Sequence, residues 1–182
     1  MLSISNLRPN VFISTLAALG YIFYLSNGYS YNQGKSAVAH IPAVHVKTLG
    51  DSLVAFAKTL EGLPYQAGGY SEESGFDCSG LVKFTFNHFG IRVGRSSRDQ
   101  AREGYSIPKE DVKPGDIVLF ARTSAEKTRV FHAGIVVSSN QDSLVMIHAN
   151  KRNGVHVTNV TASKYWSTKQ HDQRRISRTM RP

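Results

Sequence analysis

Helical periodicity comes first in this chain, strand-like segments come after it, and the two do not alternate. Residues 49–60 repeat apolar side chains at helical spacing up to Gly62 and Pro64, and residues 79–89 form a second apolar run that ends at Gly90. Short apolar segments typical of strands follow, at 117–120, 132–137, 144–149 and 155–158. This order excludes parallel βαβ units. The sequence therefore predicts an α+β fold with N-terminal helices packed on an antiparallel β-sheet.

The N-terminal segment predicts export. Residues 11–25 are apolar and uncharged and follow Arg8, which is the layout of a signal peptide or a membrane anchor rather than of a core helix. We expect residues 1–26 to be that signal or anchor, 27–45 a flexible tether, and 46–182 a folded domain with a basic C-terminal tail. The expected location is periplasmic or cell-envelope, either secreted or held to the membrane through residues 11–25.

The chain is basic, with 22 Lys and Arg against 13 Asp and Glu and a formal charge of +9. Such a charge fits either an anionic partner or a solubilising surface. Arginine is not interleaved with aromatic residues as in single-strand binders, so no nucleic acid partner is expected. The last basic residues predict a solvated tail or edge: Arg174, Arg175, Arg178 and Arg181.

Cys78 is the only cysteine, so no intramolecular disulfide can form. A lone cysteine is most often a small buried hydrophobe. Cys78, however, lies at the predicted start of the second helix, where the helix N-terminus lowers the pKa of a thiol. A nucleophilic thiol also needs a base, and His132 opens an apolar strand from which an imidazole could reach it.

His148 is the candidate for the group that orients the base. A hairpin centred on Asn140, in the most polar stretch, pairs His132 directly with His148 on one face of the sheet. A register shift of one residue would place the two rings on opposite faces. His156, on the following strand, could instead face solvent, and no role is assigned to the remaining histidines, His40, His45, His88 and His171.

Zinc binding is a different hypothesis, with Cys78, His132, His148 and His156 as ligands. Four-coordinate zinc sites usually contain a close ligand pair such as C-x-x-C or H-x-x-x-H, and this sequence has none. The sequence therefore predicts neither a metal nor a cofactor.

Several ordered motifs resemble the NlpC/P60 family of cell-wall cysteine peptidases, and in particular its small murein endopeptidase lipoproteins. The matching segments are Pro64–Gly69, Phe76–Val82, Arg95–Gln100, Pro114–Phe120, His132–Ile135 and Ile147–Ala149. Lys164–Trp166, before a basic terminus, is a weaker match. Those lipoproteins carry a lipidated cysteine after the signal. This chain has none there, so the resemblance leaves a secreted or protein-anchored form.

The resemblance implies a papain-like core and a set of site residues. Cys78 would be the nucleophile, His132 the general base and then acid, and His148 the group that orients the imidazole. Tyr65 matches a tyrosine near the oxyanion, and an oxyanion hole would also use the backbone amide of Cys78. Three further residues match positions near the substrate cleft: Asp77, Ser79 and Arg95.

The function that the resemblance implies is hydrolysis of an amide bond in peptidoglycan stem peptides or cross-links, through an acyl-enzyme, by a monomer. Three alternatives share the fold. They are an amidase or acyltransferase acting on another substrate, an interbacterial toxin with the same chemistry, and a non-catalytic wall-binding module.

Overall fold

The computed structural model describes residues 47–177. The predicted signal and tether, as well as Arg178 and Arg181, lie outside the described residues. The elements in chain order are α1 (Leu49–Thr59), β1 (Tyr70–Ser71), β2 (Gly75–Phe76), α2 (Cys78–His88), α3 (Ser97–Gln100), β3 (Tyr105–Ser106), a 3-10 turn (Lys109–Asp111), β4 (Ile117–Thr123), β5 (Thr128–Ser139), β6 (Leu144–Asn150), β7 (Gly154–Asn159), α4 (Lys164–Ser167) and β8 (Gln170–Arg175).

The two longer helices begin at side-chain caps. Thr48 and Asp51 form a reciprocal capping box at the start of α1, and Asp77 accepts a hydrogen bond from the Gly80 amide at the start of α2. Both helices were predicted within one residue of these bounds. The cap of α2 fixes Cys78 as its first residue.

A six-stranded antiparallel sheet in the order β3-β8-β4-β5-β6-β7 forms the second layer, and β1 pairs with β2 separately. The α+β prediction is confirmed. The predicted strand cores lie within β4, β5, β6 and β7, whereas β8 was not predicted. It returns from the C-terminus to pair with β4 and β3.

The sheet separates two apolar cores. One face packs against α1 and α2 and buries residues such as Leu81, Leu119 and Ile147. The other face buries Val118, Phe120 and Met146 beneath α4. Alternate residues of a strand point to opposite faces. Ala133 therefore belongs to the helix side, and its neighbour His132 projects to the α4 side.

The C-terminal arginines differ from the prediction. Arg174 and Arg175 are half-buried residues of β8 rather than part of a solvated tail. Arg175 forms two 2.8 Å hydrogen bonds to the buried carboxylate of Asp116, and Arg174 donates to the Glu103 carbonyl at 2.9 Å. The prediction was wrong because this strand is specified by long-range pairing with β4 and has no apolar pattern of its own.

The β5–β6 hairpin has a different register from the predicted one. Ile135 pairs with Ile147, so the strand position opposite His148 is Gly134 rather than His132. Asn140 begins the turn instead of centring it, since its side chain accepts from the Asp142 and Ser143 amides. An irregularity after Val136 reduces the difference from the predicted register, from three residues beside the turn to two beside the histidines. The offset is even, so His132 and His148 stay on one face as diagonal neighbours.

Candidate active site

Cys78 lies at the head of α2, where the helix approaches the loop before it very closely. A side chain at Gly80 would collide with the carbonyl oxygen of Gly69, so only glycine fits there. The Asp77 amide also donates to that carbonyl at 3.0 Å. The first turn of α2 is therefore fixed against the 65–69 loop, and the thiol is fixed with it.

Asp77 is the centre of a charged network around this turn. Its carboxylate receives two hydrogen bonds from Arg95, at 2.9 and 2.8 Å, and others from Ser79, Gly80 and Gly68. Burial would raise the pKa of Asp77, but the Arg95 hydrogen bonds, with those from Gly80 and Ser79, hold it below its usual value. The three predicted cleft residues Asp77, Ser79 and Arg95 thus form one cluster beside Cys78.

Burial of the thiol raises the pKa of Cys78, although the neighbouring backbone amides of Ala133, Ser79 and Cys78 itself act in the opposite direction and lower it. The expectation that the helix N-terminus alone makes the thiol acidic was wrong, because desolvation is the largest effect. The Ala133 amide is the important contact. It brings the sulfur against β5, at the residue that follows His132.

Tyr65 lies near both Cys78 and Asp77. It is half-buried and forms an isolated bridge with Phe76. Burial raises the pKa of Tyr65, and the nearby Cys78 and Asp77 add to this shift. Its hydroxyl therefore stays protonated and able to donate a hydrogen bond.

His132 and His148 form a buried pair on the α4 side of the sheet. Nε2 of His132 lies 2.8 Å from Nδ1 of His148. Burial lowers the pKa of His132, and the charge of His156 lowers it further; burial also lowers the pKa of His148. Both rings are therefore neutral near pH 7. Since Nε2 of His132 is bonded to His148, Nδ1 is its remaining nitrogen. Gly134 permits this arrangement, because a Cβ there would press on the His148 side chain.

Two residues of β7 extend the pair, and sequence reasoning assigned neither of them a role. The hydroxyl of Thr158 lies 3.0 Å from Nε2 of His148. His156 is the direct cross-strand partner of His148, and their ring centroids are 4.4 Å apart. The sequence left His156 as either a zinc ligand or a solvent-facing residue, and the pairing of β6 with β7 places it half-buried on the histidine face. Strand parity alone could have identified both residues.

Trp166 of α4 covers the histidine pair. Its ring stacks on His132 with centroids 4.5 Å apart and meets His148 edge-on at 5.0 Å. From the sequence, Trp166 is only part of a weak family match and has no assigned role. In the structure, Trp166 shields the hydrogen bond between the two imidazoles from water. Excluding water lowers the local dielectric and so strengthens this hydrogen bond.

The described residues also bear on metal and membrane binding. Across residues 47–177, no group of three or more His, Cys, Asp or Glu side chains could hold a metal ion, so zinc has no candidate ligand set there. Every helix in the same range is too short or too polar to cross a membrane.

A thiol at the head of a helix, packed on an antiparallel sheet that presents a buried imidazole pair, is the arrangement of a papain-like α+β domain. The NlpC/P60 family model matches residues 62–175, more than half of the chain. The chain therefore belongs to the NlpC/P60 family, as its motifs predicted.

Relatives and a solved structure agree with this assignment. The chain is 35% identical over 130 residues to the gamma-DL-glutamyl hydrolase of Bacillus subtilis, covering 71% of this chain and 30% of that protein. It is 33% identical over 117 residues to murein DD-endopeptidase MepS/murein LD-carboxypeptidase of Escherichia coli K12, covering 64% and 57%. A crystal structure of an NlpC/P60 family protein from Bacillus cereus superposes with a TM-score of 0.63 at 28% identity, covering 71% of this chain and 40% of that one. The chain thus spans less than two thirds of each of these proteins.

Proposed function

We propose that this chain is a peptidoglycan hydrolase that cleaves an amide bond in stem peptides or cross-links through an acyl-enzyme on Cys78. One observation carries the proposal. The Ala133 amide of β5 is near enough to the thiol at the head of α2 to lower the pKa of Cys78, and the residue before it, His132, lies 2.8 Å from a fully buried second histidine. Two relatives, a murein endopeptidase and a gamma-DL-glutamyl hydrolase, support an amide of the cell wall as substrate.

The reaction starts from neutral partners. Because burial raises the pKa of Cys78 and lowers that of His132, the proton stays on sulfur until substrate arrives. The thiol then transfers its proton to Nδ1 of His132 as sulfur bonds to the carbonyl carbon. His132 gives that proton to the leaving amine as the C–N bond breaks. Water, deprotonated by His132, hydrolyses the thioester and the thiol is restored.

His148 and Thr158 select the reactive form of His132. Nδ1 of His132 can accept a proton only when its Nε2 carries one and donates it to Nδ1 of His148. His148 must then carry its own proton on Nε2 and donate it to the Thr158 hydroxyl. The threonine oxygen thus acts through His148 as a positioning group.

The network around Asp77 forms the other wall of the cleft. The Cys78 amide and the protonated Tyr65 hydroxyl are the donors that would stabilise the oxyanion. Asp77, Ser79 and Arg95 hold the first turn of α2 and leave part of the Arg95 guanidinium exposed, with 35% of that side chain accessible. No metal or cofactor has a part in these steps.

The proposal includes the location. An envelope or exported enzyme fits a peptidoglycan substrate, with residues 1–26 as signal or membrane anchor and 46–182 as a monomeric catalytic domain. The mass of the exported protein, measured by mass spectrometry, distinguishes the two forms. Loss of the N-terminal segment indicates a cleaved signal, and its retention indicates a membrane anchor.

Digestion of purified peptidoglycan tests the function. The parent protein should release new amine and carboxyl termini, identified by mass spectrometry, and Cys78→Ala should release none. Cys78→Ser, which replaces the thiol with a hydroxyl of similar shape, controls for folding and should also be inactive or nearly so. Identical digests from parent and Cys78→Ala would reject the proposal. Products carrying an added amine in place of water would assign an acyltransferase instead.

A further inference from the structure

A cluster of cations near the candidate site has no assigned role. Arg98 and Arg102, in and just after α3, face the end of the β4–β5 hairpin, where Lys127 and Arg129 lie. These four residues line a cavity of about 580 Å³ whose other lining residues are Thr128 and Val130. We name it the basic pocket. No acidic residue lines it, although Asp99 and Glu126 are close in sequence.

The arginines of the basic pocket differ from the other arginines in how they are paired. Arg95, Arg174 and Arg175 each form an ion pair with a partly or fully buried aspartate. Within residues 47–177, Arg98, Lys127 and Arg129 form no ion pair, and Arg102 forms only a 3.4 Å pair with exposed Asp99. Most of the positive charge in the pocket is therefore not neutralised by the protein.

A second observation on the hairpin points the same way. Arg129 is the direct cross-strand partner of Arg122, and like charges placed opposite each other destabilise a sheet. The Arg122 guanidinium lies over the ring of Phe131 at 4.7 Å instead of meeting an acid. An anion bound at the hairpin end would offset this repulsion.

The basic pocket joins the elements that carry both halves of the candidate site. Gln100 of α3 donates to the Ser79 carbonyl at 2.9 Å, one residue after the thiol. Arg129 precedes His132 by three residues on β5, which places it about 10 Å along the strand. About three residues of an extended peptide span that distance.

We propose that the basic pocket binds a free carboxylate of the stem peptide, about three residues from the bond that is cut. This rests on the proposed function and deepens it, since it makes the enzyme prefer stem peptides with free carboxylates over amidated ones. Arginine suits this role because its planar guanidinium binds carboxylate in a bidentate manner. The phosphodiesters of other wall polymers are a different class of ligand, which the test must separate.

Binding to the inactive Cys78→Ala protein tests this inference without relying on turnover. The probes are a synthetic stem peptide with free carboxylates and the same peptide with carboxamides, measured by calorimetry at low and high salt. The free-carboxylate peptide should bind more tightly, and Arg98→Gln/Arg129→Gln should weaken it by about five- to tenfold while leaving the amidated peptide unchanged. Added salt should reduce the difference.

A matched control removes two exposed cations elsewhere, Lys58→Gln/Arg92→Gln, and should change neither affinity. Equal binding of the two peptides, or equal loss in both double variants, overturns the carboxylate site. Tighter binding of a poly(glycerol phosphate) chain than of the peptide, lost in the Arg98/Arg129 variant, overturns it in favour of wall phosphates. The proposed function fails separately, if the parent and Cys78→Ala give identical peptidoglycan digests.

Discussion

The two halves of the candidate site are built on opposite electrostatic principles. Around the thiol, the first turn of α2 is held by an ionised pair, Asp77 and Arg95, whose side chains remain partly exposed. Around the base, His132 and His148 are neutral, buried and covered by Trp166. Charge-assisted hydrogen bonds position the proposed nucleophile, whereas desolvation keeps the imidazoles uncharged.

This difference implies that the two halves fail under different conditions. An ion pair depends on a carboxylate staying ionised, so it weakens only when the pH approaches the low pKa of Asp77. A buried neutral histidine is destabilised much earlier, because the unfolded chain binds protons near pH 6.5. The site therefore loses the support of its base before the support of its nucleophile as pH falls.

The largest expected effect is on the pH dependence of stability. The folded pKa values of His132 and His148 lie below 6.5, so the unfolded state binds more protons as pH falls through that value. The unfolding free energy should fall by about 1.4 kcal/mol per pH unit for each of the two rings. Urea denaturation at about pH 7.5, 6.5, 5.5 and 4.5 measures the slope of the unfolding free energy against pH.

His148→Gln should remove about half of that slope below pH 6.5. The control is His171→Gln, which removes an exposed imidazole from β8 and should leave the slope as in the parent. Parallel curves for the parent and His148→Gln would contradict the view that the base side is held by burial.

The next effect concerns the charged half. Asp77→Asn keeps an acceptor for the Gly80 amide but leaves Arg95 without a carboxylate, and it should lower the unfolding free energy at pH 7 by about 2 kcal/mol. The partial exposure of Arg95 keeps the loss from being larger. Arg95→Met added to Asp77→Asn should recover part of it, which a double-mutant cycle measures. Strictly additive losses would show that the pair is not coupled.

Much of the site could be predicted because its parts are local. The cap and apolar face of α2 are specified by adjacent residues, which placed Cys78 at the helix head. Strand parity survived the register error, so His132 and His148 were assigned to one face although Gly134, not His132, lies opposite His148.

The parts that sequence missed depend on long-range pairing. Thr158 reaches His148 only because β7 pairs with β6, and Trp166 reaches His132 only because α4 folds over the sheet. The pKa of Cys78 depends on burial by the whole domain, so helix position alone gave the wrong direction. None of these has a signal within a few residues of the catalytic motif.

The smallest effect tests whether the neutral half also depends on a defined proton position. Thr158→Val keeps the shape of the side chain but removes the acceptor for Nε2 of His148, so the unreactive tautomer of the histidine pair becomes more populated. We expect kcat to fall about five- to tenfold with KM unchanged, and Thr158→Ser, which restores the hydroxyl, to recover most of it. Nitrogen-15 chemical shifts of the imidazoles measure the tautomers directly. If Thr158→Val matches the parent in both kcat and tautomer populations, burial alone orients His148. The half of the site around His132 and His148 would then depend on desolvation only, in sharper contrast with the charged half around Asp77 and Arg95.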